Sequence, residues 1–202
     1  MTSRSSAKTQ ATRARILEAA RRELGRDPDS SLGDIAEAAE VARRTIYGHF
    51  AGRAALVHGL AEEAGEAVRR ASADAHGPTP DAVTALARFV LTLWPVGDRY
   101  RMLIALAPHD LCPDEVGAVL GPARDTVAGI LAHGQQQGVF HTVVPPTPLA
   151  TALEAHLLAL LDSVNSGLWS DDGTAAATAA LITVGVRSDV ASTTVHRLQS
   201  SR

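Results

Sequence analysis

Arg43, Arg44, Thr45, Tyr47 and His49 fall within seven consecutive positions. A guanidinium can grip O6 and N7 of guanine through two parallel hydrogen bonds. Hydroxyl and imidazole groups suit phosphate oxygens, contacts that seat a protein on a duplex without reading its sequence. This is the chemistry of binding rather than of bond making. The chain has no Gly-rich phosphate loop, no His-Glu-x-x-His and no Gly-x-Ser-x-Gly, so no enzyme is expected. None of the eight histidines stands at helical metal-ligand spacing with a second ligand. His109 and Cys112 are three apart, but Pro113 interrupts them, and no metal site and no cofactor are expected.

The elements that must hold these groups are two short helices, about 32–39 and 42–48. Ser31 is a good N-cap for the first, with Asp34 three residues on. Two helices crossing steeply need a small residue at the crossing, and Ala36 supplies it. Ile35, Ala39, Val41, Ile46 and Phe50 can then share a miniature core with Ile16, Leu17, Ala20 and Leu24 of a preceding helix, about 10–25. In a helix-turn-helix the second helix lies in the major groove and the first braces it. With Ile46 inward, Arg43, Arg44, Tyr47 and Gly48 point outward. The same shape also serves protein–protein modules, where the arginines would be a solvated face.

The segment resembles the N-terminal DNA-binding domain of the tetracycline-repressor (TetR) family. The matching residues are Ile16-Leu-x-Ala-Ala20, Asp34-Ile-Ala-x-x-Ala39, Val41, Thr45-Ile-Tyr-x-His-Phe50 and Arg53-x-x-Leu56. The resemblance spans about residues 9–60. It implies a homodimer on a palindromic operator, most simply a repressor, with a helical C-terminal domain for dimerisation and a small-molecule inducer. It implies phosphate contacts for Thr45, Tyr47 and His49 and base-facing positions for Arg43 and Arg44. Gly48 lies on the same DNA-facing surface, and Arg53 stands where a phosphate-binding lysine is usual. Three features depart from the pattern. Glu40 replaces the usual turn glycine, at about 1 kcal/mol or more if left-handed. Ala42 replaces a capping serine, roughly 1 kcal/mol. The loop after the first helix is short and lacks the usual aromatic-glycine pair.

Beyond the motif the pattern is helix after helix, with no segment of strand periodicity. The expected fold is all-α: an arm (1–8) and helix-turn-helix domain over 1–53, a connecting helix at about 52–75, and a helical regulatory and dimerisation domain over 76–202. Prolines punctuate the second part. Thr79-Pro80 and Thr147-Pro148 read as helix starts, Pro113 and Pro122 as restarts, and Pro95 and Pro108 as stops. The helix expected at 148–169 carries Leu153, Leu157, Leu160, Val164 and Leu168 in one stripe. Its width suggests cover on two sides, the second being a twin subunit joined by Leu181 and Ile182 of a last helix at 174–186. A monomeric bundle with those residues in its core is the other reading. Phe89, Leu93, Trp94, Tyr100 and Leu103, with His133 and Asn165 as polar anchors, form the candidate ligand pocket. A helix-turn-helix protein without an inducer, acting as activator or DNA organiser, and more remotely a helical enzyme, are the alternatives.

Composition agrees. Of 202 residues, 46% are hydrophobic and 20% charged, which suits a folded core. Apolar runs such as Ala155–Leu161 fall short of the about 20 residues needed to cross a bilayer, so no membrane partner is expected. A polar, basic start and a lone cysteine point to the cytoplasm. The net charge of −3 conceals a split. Residues 1–53 carry a net +3 and residues 54–202 a net −6, a basic reader joined to an acidic body.

Overall fold

The computed structural model describes residues 2–75 and 81–200, with side chains from residue 6. Its regular elements are α1 (Thr2–Arg26), α2 (Leu32–Ala38), α3 (Arg43–His49), α4 (Arg53–Asp74), α5 (Ala82–Arg99), α6 (Met102–Asp110), α7 (Pro113–Gln136), α8 (Pro146–Asn165), α9 (Thr174–Thr183) and α10 (Ser188–Ser200). The fold is all-helical, with no strand among the described residues. Two compact units divide the chain. The first comprises Met1–Glu63 and Tyr100–Val116, the second Ala64–Arg99 and Gly117–Arg202. Residues 100–116, which the sequence groups with the C-terminal domain, therefore cluster with the helix-turn-helix, and α6 packs on α1.

In the first unit α1 packs on α2 and α2 on α3. Ile16, Leu17, Ala20 and Leu24 of α1 meet Ile35, Ala36, Ala39, Ile46 and Phe50, all buried, together with Leu56, Val57 and Leu60 of α4. Val41, expected in this core, is only half-buried. Arg13 lies over the Phe50 ring at 5.1 Å from its centroid and pairs with Glu62 at 3.3 Å. At the start of α2, Ser31 and Asp34 form the capping box. The Ser31 amide and hydroxyl donate to the Asp34 carboxylate, while the Asp34 amide donates back to the hydroxyl. These bonds hold the Asp34 carboxyl below its ordinary pKa.

Four helices end in one device. The amide two residues past the cap returns to the carbonyl three residues inside the helix end, and the preceding amide bonds one carbonyl further on. The bonds are Val41 to Ala36 and Glu40 to Glu37, Val139 to Gly134 and Gly138 to Gln135, Leu168 to Ser163 and Gly167 to Val164, and Val186 to Leu181 and Gly185 to Ile182. This closure puts one residue in the left-handed region. Gly138, Gly167 and Gly185 take that place at the ends of α7, α8 and α9, with φ of 69°, 72° and 100°. At the turn between α2 and α3 the residue is Glu40, φ 52°, the one non-glycine with positive φ among the described residues. The left-handed cost there is about 1–2 kcal/mol. The missing side-chain cap at Ala42 adds about 1 kcal/mol. Burial of Ile35, Ile46 and Phe50 contributes about 1.5–3 kcal/mol each and outweighs both.

The second unit is built on α5, which packs against α8, α9 and α10, while α9 also packs on α8 and α10. Several boundaries differ from the sequence expectation. α1 is helical from Thr2, where a flexible arm was expected. α5 runs through Pro95 to Arg99, α6 through Pro108, and α7 continues through Pro122 instead of restarting. Each internal proline forfeits one backbone bond, which the buried faces on both sides offset. α8 starts at Pro146 with Pro145 as cap, so Thr147 does not cap it. α8 stops at Asn165 because Gly167 turns left-handed, and α9 stops at Thr183 because Gly185 does the same. The tail after Val186 is helix α10, with Ala191, Thr194 and Val195 buried. Asp81 accepts from the Val83 and Thr84 amides at the start of α5, and the Thr79-Pro80 start lies outside the described residues.

Glu40→Gly is expected to stabilise the protein by about 1 kcal/mol by relieving the left-handed strain. Ala42→Ser should add a similar amount through the restored cap. Urea unfolding followed by circular dichroism measures both; an unchanged or lower midpoint would sink the strain argument.

Candidate functional site

α3 is half core and half surface. Ile46 is fully buried, whereas Arg43, Arg44, Tyr47 and Gly48 are exposed and Thr45 and His49 are half-buried. Tyr47, 57% exposed, is among the largest apolar surfaces the chain shows to solvent. The two arginines differ. The Arg43 guanidinium lies against the first turn of α2, where a Cβ on Gly33 would come within 3.2 Å of its Nη2. There its charge reinforces the low pKa of Asp34, after the hydrogen bonds from Ser31. Arg44 has no hydrogen bond or ion pair with any described residue, so its donors are free for a partner.

Arg53 is placed otherwise than the resemblance implied. Its Nη1 donates to the Ser30 carbonyl at 3.1 Å and its Nη2 to the Pro28 carbonyl, and its Nε lies 3.5 Å from Asp110 Oδ2. The guanidinium thus ties the α1–α2 loop and the end of α6 to the first residue of α4. It is committed within the chain where a phosphate contact was expected. The short loop, lacking an aromatic-glycine pair, presents these two carbonyls to it.

Within the second unit α5, α7, α8 and the latter part of α4 line a partly open apolar cavity of about 110 Å³. Phe89, Leu93 and Trp94 line it, as the sequence predicts. Tyr100 and Leu103 do not: both are buried in the first unit. His133 is exposed and bonded to Gln137, and Asn165 is half-buried at the end of α8; neither reaches the cavity. Leu153 and Leu157, expected at a dimer interface, line it instead. Reasoning from sequence missed Arg124 of α7 and Glu154 of α8, the charged groups of the lining. Arg124 donates from Nε and Nη2 to the two carboxylate oxygens of Glu154, at 3.0 and 2.7 Å. The Trp94 indole N–H is used by the Asp171 carbonyl at 3.1 Å, and its ring meets Trp169 edge-on at 6.0 Å.

Of the other residues expected at the interface, Leu181 is fully buried within its own unit. Leu160 and Val164 are half-buried, Ile182 is 46% exposed and Leu168, thrown out of the helix by Gly167, is 83% exposed. Cys112 is exposed, and its amide donates to Glu115, which also bonds His58. Among the described residues no group of three or more His, Cys, Asp or Glu is arranged to hold a metal ion, and no helix is long and apolar enough to cross a membrane.

Residues 16–60 match the family model of bacterial regulatory proteins of the tetR family. Comparison with curated sequences finds no match. Among solved structures, the TetR family protein CprB from S. coelicolor A3(2) superposes with a TM-score of 0.75 at 19% identity, over 96% of this chain and 100% of that one. The gamma-butyrolactone receptor (ArpA-like protein) gives 0.69 at 21% identity, over 97% and 100%. RolR in complex with resorcinol gives 0.54 at 22% identity, over 95% and 96%. At these identities the likeness is one of fold. The match of residues 16–60 makes the helix-turn-helix of this chain similar to that of tetR-family regulators, and its all-helical fold is similar to theirs as well.

Proposed function

We propose that the protein is a homodimeric transcriptional repressor that reads a palindromic operator through α3 and is released from it by a small molecule held in the α5–α7–α8 cavity. The observation that carries the reading is α3 itself. Its inner face is anchored by Ile46, while Arg44 and Tyr47 stand exposed beside it in a segment of net +3 charge. Arg44 is the candidate for base readout, and Thr45, Tyr47 and His49 for phosphate contacts. Arg43, lying across the start of α2, is suited to a phosphate or base near that helix. Palindromic half-sites ask for a two-fold dimer, and the exposed Leu168 and Ile182 and the half-buried Leu160 and Val164 are the candidate apolar surface for it. Operator binding would take place in the cytoplasm, where bacterial DNA lies.

The cavity supports the ligand-released form over a helix-turn-helix protein without an inducer. The fold neighbours include a gamma-butyrolactone receptor and a resorcinol complex, both of which bind small molecules. α4 and α7 each begin in the first unit and end in the second, so the chain itself links cavity to reader. A ligand that favours a dimer with wrongly spaced recognition helices would weaken operator binding, and DNA would weaken ligand binding by the same factor.

Selection of bound DNA from a random pool should return a palindrome; recovery of unrelated sequences would remove the operator reading. On the selected site, Arg44→Ala should cost about 1–3 kcal/mol and relax one base preference, as measured by fluorescence anisotropy. Unchanged affinity together with unchanged preference would take Arg44 out of the readout. Arg53→Gln should lower thermal stability yet leave the salt dependence of binding unaltered, because a lost phosphate contact would flatten the log–log slope by about 0.9. Light scattering should find a dimer for the natural chain and a monomer for the double substitution Leu168→Glu, Ile182→Glu, with helical circular dichroism retained in both.

A further inference from the structure

The cavity combines a hydrocarbon lining with a single pair of opposite charges, and this restricts what it can hold. Arg124 and Glu154 meet fork to fork, so each carboxylate oxygen already has a guanidinium donor. The pair is half-buried, with side chains 32% and 19% exposed. Trp94 offers no polar anchor, because its N–H is engaged by the Asp171 carbonyl.

A carboxylate entering this space would either sit beside the Glu154 charge at low dielectric or take Arg124 from it. The second course leaves the half-buried Glu154 carboxylate unpaired, a costly state. An ammonium meets the same obstacle with the signs exchanged. An uncharged molecule meets neither, and the wall that it faces is carbon almost throughout. The volume, about 110 Å³, is somewhat below that of a cavity of about 150 Å³ known to take up benzene. A single ring or a short alkyl chain matches it.

We infer that the α5–α7–α8 cavity selects an uncharged, mainly hydrocarbon small molecule, with either sign of charge turned away by the closed Arg124–Glu154 pair at its wall. The inference rests on the reading of this cavity as the effector site and adds the chemical class of the effector.

The test is calorimetric titration of the intact chain, without DNA, at pH 7 with 1-hexanol, hexanoate and hexylammonium. Hexanol should bind at least ten-fold more tightly than either ion. Glu154→Gln frees Arg124 and should raise hexanoate affinity at least ten-fold relative to hexanol, and Arg124→Gln should do the same for hexylammonium. Circular dichroism checks that the variants fold, and the comparison on the natural chain needs no variant. Either ion binding the natural chain as tightly as hexanol overturns the inference, as does failure of all three probes to bind. Hexanol binding that leaves operator affinity unchanged would uphold the selectivity while overturning the regulatory role of the site.

Discussion

The attitude of α3 depends on the reversal between Ala38 and Arg43. Closing that turn takes two amide-to-carbonyl bonds, Val41 to Ala36 and Glu40 to Glu37, and one left-handed residue. The other three helix ends closed in this manner use glycine; the one that aims the exposed face of α3 uses Glu40. The strain is tolerated because Ile35, Ala36 and Ala39 on one side and Ile46 and Phe50 on the other collapse onto α1 and α4 only when the turn closes. Once Ile46 is inside, the helical period leaves Arg44 and Tyr47 outside. A carboxylate at the turn also places a negative charge near the candidate interface, which disfavours loose electrostatic binding and leaves more of the affinity to fitted contacts.

Arg43, Arg44 and Arg53 share a charge but not a task. Arg44 is unengaged among the described residues, Arg43 leans on the start of α2, and Arg53 is spent on two carbonyls and Asp110. The net +3 of the N-terminal segment therefore overstates the charge free to meet a polyanion. Arg53 also joins the α1–α2 loop to the end of α6 within one compact unit. A partly exposed ion pair contributes little by itself. Its hydrogen bonds to the two loop carbonyls are the larger part of its effect.

In the second unit the placement of leucines is governed by packing more than by amphipathic pattern. α8 is apolar around much of its circumference, which reads from sequence as one inward face and one dimer face. Leu153, Leu157, Leu158 and Leu161 instead border the cavity, and Leu168 leaves the stripe because Gly167 ends the helix first. The pair Arg124–Glu154 links residues thirty apart in the chain and closes one wall of that cavity.

What the sequence alone determined is local. Capping chemistry at Ser31 and Asp34, the small residue Ala36 at the crossing, the inward set around Ile46 and the helical period throughout are legible because each depends on neighbours within a turn or two. The left-handed Glu40 was legible too, since the motif demands that conformation there. Tertiary structure decided the rest. Helices run through Pro95, Pro108 and Pro122 because buried faces on both sides offset a lost bond that a local rule reads as a stop. Residues 100–116 join the helix-turn-helix unit, drawing Tyr100 and Leu103 away from the expected pocket. Arg53 turns inward because Asp110, 57 positions away, and two loop carbonyls come within its reach. Such partners are set by the folded path of the chain, and spacing along it carries no trace of them.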